Sequence, residues 1–210
     1  MKNFLAIDTS GNYMSVVAAK DGEIYTEFLP DCAMRHSVML METVDKLLAR
    51  ASLRLSDCDF FAACVGAGSF TGIRIGISAV KGFALATGKP TLPVTSFDTL
   101  AYNALDGSGK TLCLVNALHD CYYACGYEQG EVIYPPAFLT EDEVLALEKQ
   151  GFALLSGEEL PLQNKTSVRV VSPVTGLTNA VLARSAKDSA FGELTAVYVR
   201  KSSAEMNLCK

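Results

Sequence analysis

The chain has 210 residues, half of them hydrophobic and a fifth charged, with a net charge of −5. That is enough apolar material for one large domain or two small ones with a sizeable core, and the acidic balance argues against a self-sufficient nucleic-acid binder, which shows a basic surplus or stripe. Phe4–Ile7 is too short an apolar run for a signal peptide, and no stretch reaches membrane-spanning length, so the expectation is a soluble, cytoplasmic protein. The seven cysteines, at 32, 58, 64, 113, 121, 125 and 209, show no C-x-x-C spacing and no zinc pattern, and read as small hydrophobes in a reducing compartment.

Phe4–Ile7 reads as a buried strand, followed by the turn residues Asp8-Thr9-Ser10-Gly11-Asn12. Met14–Ala19 and Glu23–Leu29 are strands joined by an Asp21-Gly22 hairpin, which makes a three-stranded antiparallel meander. Residues 34–51 have helical spacing, with Leu40, Val44, Leu47, Leu48 and Ala51 on one face. Met34, Val38 and Met41 widen that apolar arc to about half the circumference, beyond the ~100° stripe of a surface helix. Either the helix sits deep in the core or it carries a second surface for a partner.

A short turn at Ser56-Asp57 precedes Phe60–Val65, a parallel-type strand that enters the glycine-rich segment Gly66-Ala67-Gly68-Ser69-Phe70-Thr71-Gly72-Ile73-Arg74-Ile75-Gly76. A helix is expected from about Ser69 to Thr87, stopped by Gly88 and Pro90. Thr91–Val94 is the next strand, and Thr95 or Ser96 caps a helix over 97–103. Asp106-Gly107-Ser108-Gly109 reads as a linker, placing one lobe at 1–105 and a shorter one at 106–210, with the last residues returning to the first. In the second half, strands at Thr111–Ala117, Cys121–Tyr127 and Glu131–Tyr134 end at Pro135-Pro136. Thr140 and Glu143 form a capping box for a helix over 141–149. Short strands follow at Phe152–Leu155 and Val168–Val171, then a helix over Leu177–Lys187 and an extended tail over Ala196–Arg200. Both halves open with antiparallel hairpins and continue with alternating helices and strands, the pattern of a duplicated α/β architecture.

The Asp8-Thr9-Ser10-Gly11 turn resembles the first phosphate loop of actin-like ATPases and sugar kinases, although an Asx-turn between two strands accounts for the same residues. The 66–76 segment matches neither the G-x-G-x-x-G dinucleotide fingerprint nor a Walker loop, and Ser69 does not sit in a G-x-S-x-G elbow. The two histidines, His36 and His119, complete no triad or metal pair in the sequence; His36 reads as a capping or surface residue. In the following helix, Gly72, Gly76, Ala79, Phe83 and Ala86 are read on one face, Ile73, Ile77, Val80 and Ala84 on another, and Arg74 and Lys81, the only charges, on a third sector. A helix with so little side chain on one side invites a closely packed neighbour, inside the fold or across a subunit boundary.

Gly66–Gly76 resembles the signature of the bacterial TsaB (YeaZ) family, G-P-G-S-F-T-G-L/V-R-I-G, with Ala67 in place of proline. Ala6-Ile7-Asp8-Thr9-Ser10, Arg35-His36-Ser37, Val94-Thr95-Ser96 and the tail Val197-Tyr198-Val199-Arg200 extend the resemblance, while Asn116-Ala117-Leu118 stands where the family has Asp-Ala-Arg. The resemblance implies an α/β, actin-like ATPase (ASKHA, ribonuclease H-like) fold of two lobes, each a mixed sheet with flanking helices. It further implies a non-catalytic subunit of the machinery that makes N6-threonylcarbamoyladenosine on tRNA. Such a subunit pairs with a catalytic TsaD-like paralogue, is joined by a TsaE-like ATPase, self-associates through the same N-terminal helices, meets tRNA only through the complex, and leaves ATP and metal to its partners. The residues expected at the partner face are Met34, Val38, Met41, Ser69, Phe70, Thr71, Gly72, Arg74, Gly76, Ala79 and Phe83. Rival readings are a small-molecule kinase or ATPase of the same fold using Asp8 and the 66–72 loop, and a peptidase.

Overall fold

A computed structural model describes residues 1–103 and 109–199. The expected linker residues Asp106–Ser108, the boundary at 105/106, Arg200 and Cys209 lie outside the described residues.

The first lobe is a five-stranded sheet built from β1 (Phe4–Asp8), β2 (Met14–Lys20), β3 (Glu23–Leu29), β4 (Phe60–Cys64) and β5 (Thr91–Val94), ordered β3-β2-β1-β4-β5. The meander β1-β2-β3 is antiparallel, and β4 and β5 add in parallel. The second sheet repeats this plan with β6 (Lys110–Asn116), β7 (Cys121–Glu128), β8 (Glu131–Thr140), β9 (Phe152–Ser156) and β10 (Val168–Val170), ordered β10-β9-β6-β7-β8 with the same strand directions. The strand plan of the actin-like fold is therefore duplicated, although a short 3-10 turn, Pro161–Asn164, stands between β9 and β10 where a long helix joins β4 to β5.

β1 is buried on both faces and alternates between two cores. Leu5 and Ile7 pack under α1 (His36–Arg50) and α2 (Phe70–Thr87), whereas Phe4 and Ala6 pack under Leu177, Ala180 and Val181 of α5 (Pro173–Arg184). A helix from the second half of the chain thus covers the first sheet. In return, Phe97, Leu100 and Ala101 of α3 (Ser96–Ala101) pack on Cys113, Cys125, Tyr127 and Leu155 of the second sheet. Asp98 joins the two exchanges: it closes a capping box with Thr95, accepts from Tyr127 Oη at 3.2 Å and from Arg184 Nη1 at 3.3 Å. The outer face of the second sheet is covered by α4 (Glu141–Glu148), capped by Thr140 and Glu143 as the capping box predicts.

Several boundaries differ from the sequence reading: α1 starts at His36, which leaves Met34 in the preceding turn, α3 ends at Ala101 and α5 at Arg184. Pro135-Pro136 does not end a strand, because β8 is an edge strand, where a missing N–H costs no ladder bond. α5 starts four residues earlier than the hydrophobic pattern suggests, with Ser172 as N-cap and Pro173 as the first helical residue. All six described cysteines are free thiols, and five are buried.

Candidate functional site: an inter-helix groove beside an inter-lobe cleft

α2 begins where the glycine-rich segment leaves β4. Gly66 and Gly68 have φ of +116° and +145°, and a Cβ at Gly68 would lie 2.3 Å from the Ser10 carbonyl oxygen, so only glycine lets the two loops touch. Ser69 caps the helix by accepting from Gly72 N, and its own N–H donates to Ser10 O at 2.7 Å. The side-chain-poor face of α2 then lies on β1 and its loop. A Cβ at Gly72 would sit 2.0 Å from Thr9 O, and one at Gly76 2.6 Å from Thr9 Oγ1. Phe83 is buried against Phe61, with ring centroids 5.9 Å apart.

This corrects part of the expected partner face. Gly72, Gly76 and Phe83 are interior residues, and their small or apolar character serves the contact of α2 with its own sheet. Ala86, read on the same face, is exposed. The remaining candidates are at the surface: Met34 is 97% exposed, Val38 75%, Met41 47% and Phe70 42%, with Ser69, Thr71 and Arg74 exposed and Ala79 half-buried. Met41, Phe70, Thr71, Arg74 and Ala79 line a groove of about 530 Å³ between α1 and α2, which Ser37, Leu40, Ile75 and Ser78 complete. These last four were not among the residues expected at the partner face, because their role depends on the angle at which two separate helices meet.

Around the Phe70 ridge, a cleft of about 610 Å³ opens between the lobes. Its walls come from the β1–β2 turn (Ser10, Gly11, Asn12), the glycine-rich loop, the β6–β7 turn, Glu158 and the segment Val197–Val199. That segment crosses from the second half and is tied to the residue after β4 by Val197 N donating to Val65 O at 2.7 Å. Asn12 Nδ2 donates to Glu158 Oε2 at 3.0 Å, linking the lobes across the cleft. Burial raises the Glu158 carboxyl above its ordinary value, with the Asn12 bond pulling the other way. Asn116 accepts from Leu118 N at 2.9 Å within the turn, and Leu118 stands exposed at the position where the family resemblance led us to expect arginine.

A nucleotide triphosphate in this cleft would meet little positive charge. No lysine or arginine lines the cleft among the described residues, whereas the Glu158 carboxylate does. Asp8 is fully buried, and its Oδ1 accepts from Ser10 N at 2.8 Å, which is an Asx-turn. Desolvation raises the Asp8 carboxyl above its ordinary value, against the pull of the Ser10 bonds. Below it, Ser10, Cys64 and Ser96 form a buried network, with Ser96 Oγ 3.0 Å from Ser10 Oγ and 3.1 Å from Cys64 Sγ, and burial drives the Cys64 thiol well up. His36 is not a surface residue: it is buried and its Nε2 donates to Tyr13 O at 2.9 Å. Among the described residues no three of His, Cys, Asp or Glu converge as a metal site, and no helix is long and apolar enough to cross a membrane.

Residues 18–207 match the family model of TsaD, tRNA N6-adenosine threonylcarbamoyltransferase. The chain is 32% identical over 129 residues to the tRNA threonylcarbamoyladenosine biosynthesis protein TsaB of Escherichia coli, covering 60% of this chain and 55% of that one. It is 32% identical to TsaB of Bacillus subtilis over 124 residues, covering 59% and 54% of the two chains. In these matches the chain spans about half the length of the curated relatives. YeaZ from Pseudomonas aeruginosa superposes with a TM-score of 0.76 at 25% identity, over 94% of this chain and all of that one. The chain belongs to the TsaD family of tRNA N6-adenosine threonylcarbamoyltransferases, on its TsaB (YeaZ) branch.

Proposed function

We propose that this chain is a non-catalytic, activating scaffold subunit of a cytoplasmic complex that makes N6-threonylcarbamoyladenosine on tRNA. It docks a TsaD-like paralogue through α1 and α2. A TsaE-like ATPase joins the pair, ATP and metal are held by the partner subunits, a second copy of this chain competes for the same face, and tRNA is met only through the assembly. The observation that carries the reading is the groove between α1 and α2. It is open and lined by Leu40, Met41, Phe70, Ile75 and Ala79, and the exposed Val38 on α1 and Met34 just before it add further apolar side chains outside the monomer core. Contiguous apolar surface of this kind marks an interaction site, and about 800 Å² per partner is typical of a specific complex.

Reconstitution tests the reading. The full chain, a TsaD-like paralogue and a TsaE-like ATPase from the same host are mixed with unmodified tRNA, ATP and the threonylcarbamoyl precursors. Modified adenosine is expected only when this chain is present, and the isolated chain is expected to turn over no ATP. Modification undiminished without the chain, or ATP turnover by the chain alone, overturns the proposal.

A further inference from the structure

Phe70 lines both concavities at once, the groove on one side and the cleft on the other. Its ring stacks on that of Tyr198, 128 residues away, with centroids 4.9 Å apart and planes at 28°. The Arg74 guanidinium carbon lies 3.7 Å from the Phe70 centroid, and Arg74 Nε donates to Tyr198 Oη at 3.0 Å. Three exposed side chains are thereby held in one arrangement. At an exposed position such a cation–π contact is worth only ~0.5–1 kcal/mol to the fold, so folding alone does not account for the ordering.

Arg74 is the one charged residue lining the groove among the described residues. Its Nε is taken by Tyr198, and among the described residues no hydrogen bond or ion pair engages Nη1 or Nη2. A guanidinium so held presents a planar fork that matches a carboxylate. Around it Leu40, Met41, Ile75 and Ala79 offer apolar surface that excludes water once covered. A phosphate group would call for more cations than this single one.

We infer that Arg74, oriented by Phe70 and Tyr198, anchors the docking face and receives an Asp or Glu carboxylate from an apolar segment of the TsaD-like paralogue seated in the groove. The inference rests on the docking reading above. It also makes the face composite: Tyr198 is a positioning residue supplied by the second half of the chain, so docking senses whether that segment is in place. Preorganised arginine and aromatic anchors of this kind carry a disproportionate share of binding energy.

Titration calorimetry of the full chain with the full-length paralogue, at low and high salt, tests this. Arg74→Met is expected to weaken binding about 30-fold and to remove most of its salt dependence. Arg74→Lys keeps the charge but not the fork and loses about tenfold. Tyr198→Phe keeps the stack but frees Nε, and loses about threefold. Met41→Glu serves as a control for the groove itself. If Met41→Glu abolishes binding while Arg74→Met binds as tightly as wild type, or with an unchanged salt slope, the anchor is wrong and the docking face stands. If Met41→Glu also binds like wild type, the docking face and the anchor fall together.

Discussion

Thr9 and Gly72 hold the first loop of the chain against the first turn of α2: the Thr9 hydroxyl donates to the Gly72 carbonyl at 2.7 Å, and the Thr9 carbonyl lies 2.0 Å from where a Gly72 Cβ would be. The contact explains why the signature spends glycines inside a helix, where each costs roughly 0.5–1 kcal/mol against alanine. The close approach it permits is to the chain's own β1–β2 turn.

Two glycines of α2 should therefore respond in opposite directions to the same change. Gly72→Ala drives a methyl into backbone and is expected to destabilise by about 3 kcal/mol. Gly82→Ala meets nothing within 4 Å on the exposed side of the helix and should stabilise by about 0.5–1 kcal/mol. Urea unfolding of the two variants checks this, and equal effects would refute the internal packing of the small-residue face. By the same argument a bulky residue at Gly76 unfolds the monomer before it reports on assembly.

Asp98 should be the costliest polar residue to lose at the junction of the lobes. Asp98→Ala removes the carboxylate that accepts from Thr95 N in the α3 capping box, the acceptor of Tyr127 Oη and the counter-ion of Arg184, while the Thr95 cap itself stays. Because Arg184 keeps a third of its side chain in solvent, the ion pair is worth less than a fully buried one. The expected total is about 2–4 kcal/mol. Tyr127→Phe, which loses one hydrogen bond, should cost about 1 kcal/mol. Thermal unfolding of both variants gives the ranking, and a smaller cost for Asp98→Ala than for Tyr127→Phe would contradict it.

Val38→Asp should separate assembly from stability. The side chain stands mostly in solvent, so the change is expected to move unfolding by no more than about 0.5 kcal/mol. Co-elution with the paralogue on size exclusion should nevertheless be lost, since a charge is placed on apolar docking surface. A variant that unfolds early, or one that still co-elutes, counts against an unpartnered α1 face.

Asp8 gives the fold a pH signature. Its carboxyl titrates above the unfolded value of 3.8 because burial opposes ionisation. Between the unfolded and folded values the native state holds the extra proton, so this contribution is fully present below about pH 3.8 and is lost as pH rises through the folded value. Asp8→Asn keeps the acceptor for Ser10 N and cannot ionise. Its stability relative to wild type should therefore rise with pH over that window and level off above it, as read from urea midpoints at a series of pH values. A difference that falls with pH would reverse the assignment.

Much of this protein could be read from its residues in order. The meander around Asp21-Gly22, the capping box of Thr140 and Glu143, the stop at Gly88 and the glycine-rich signature are local signals, set by backbone geometry and side-chain chemistry within a few positions. They carried the two-lobe fold and the family. Which face of α2 is inside was not legible in this way, because Gly72 and Ala79 look alike in a helical pattern and differ only in whether Thr9 stands opposite. The exchange of α3 and α5 between the sheets and the meeting of Phe70 with Tyr198 depend on contacts between residues far apart in the chain. Sequence periodicity tells how much apolar or small surface an element carries, and only the packed chain decides how much of it is already covered.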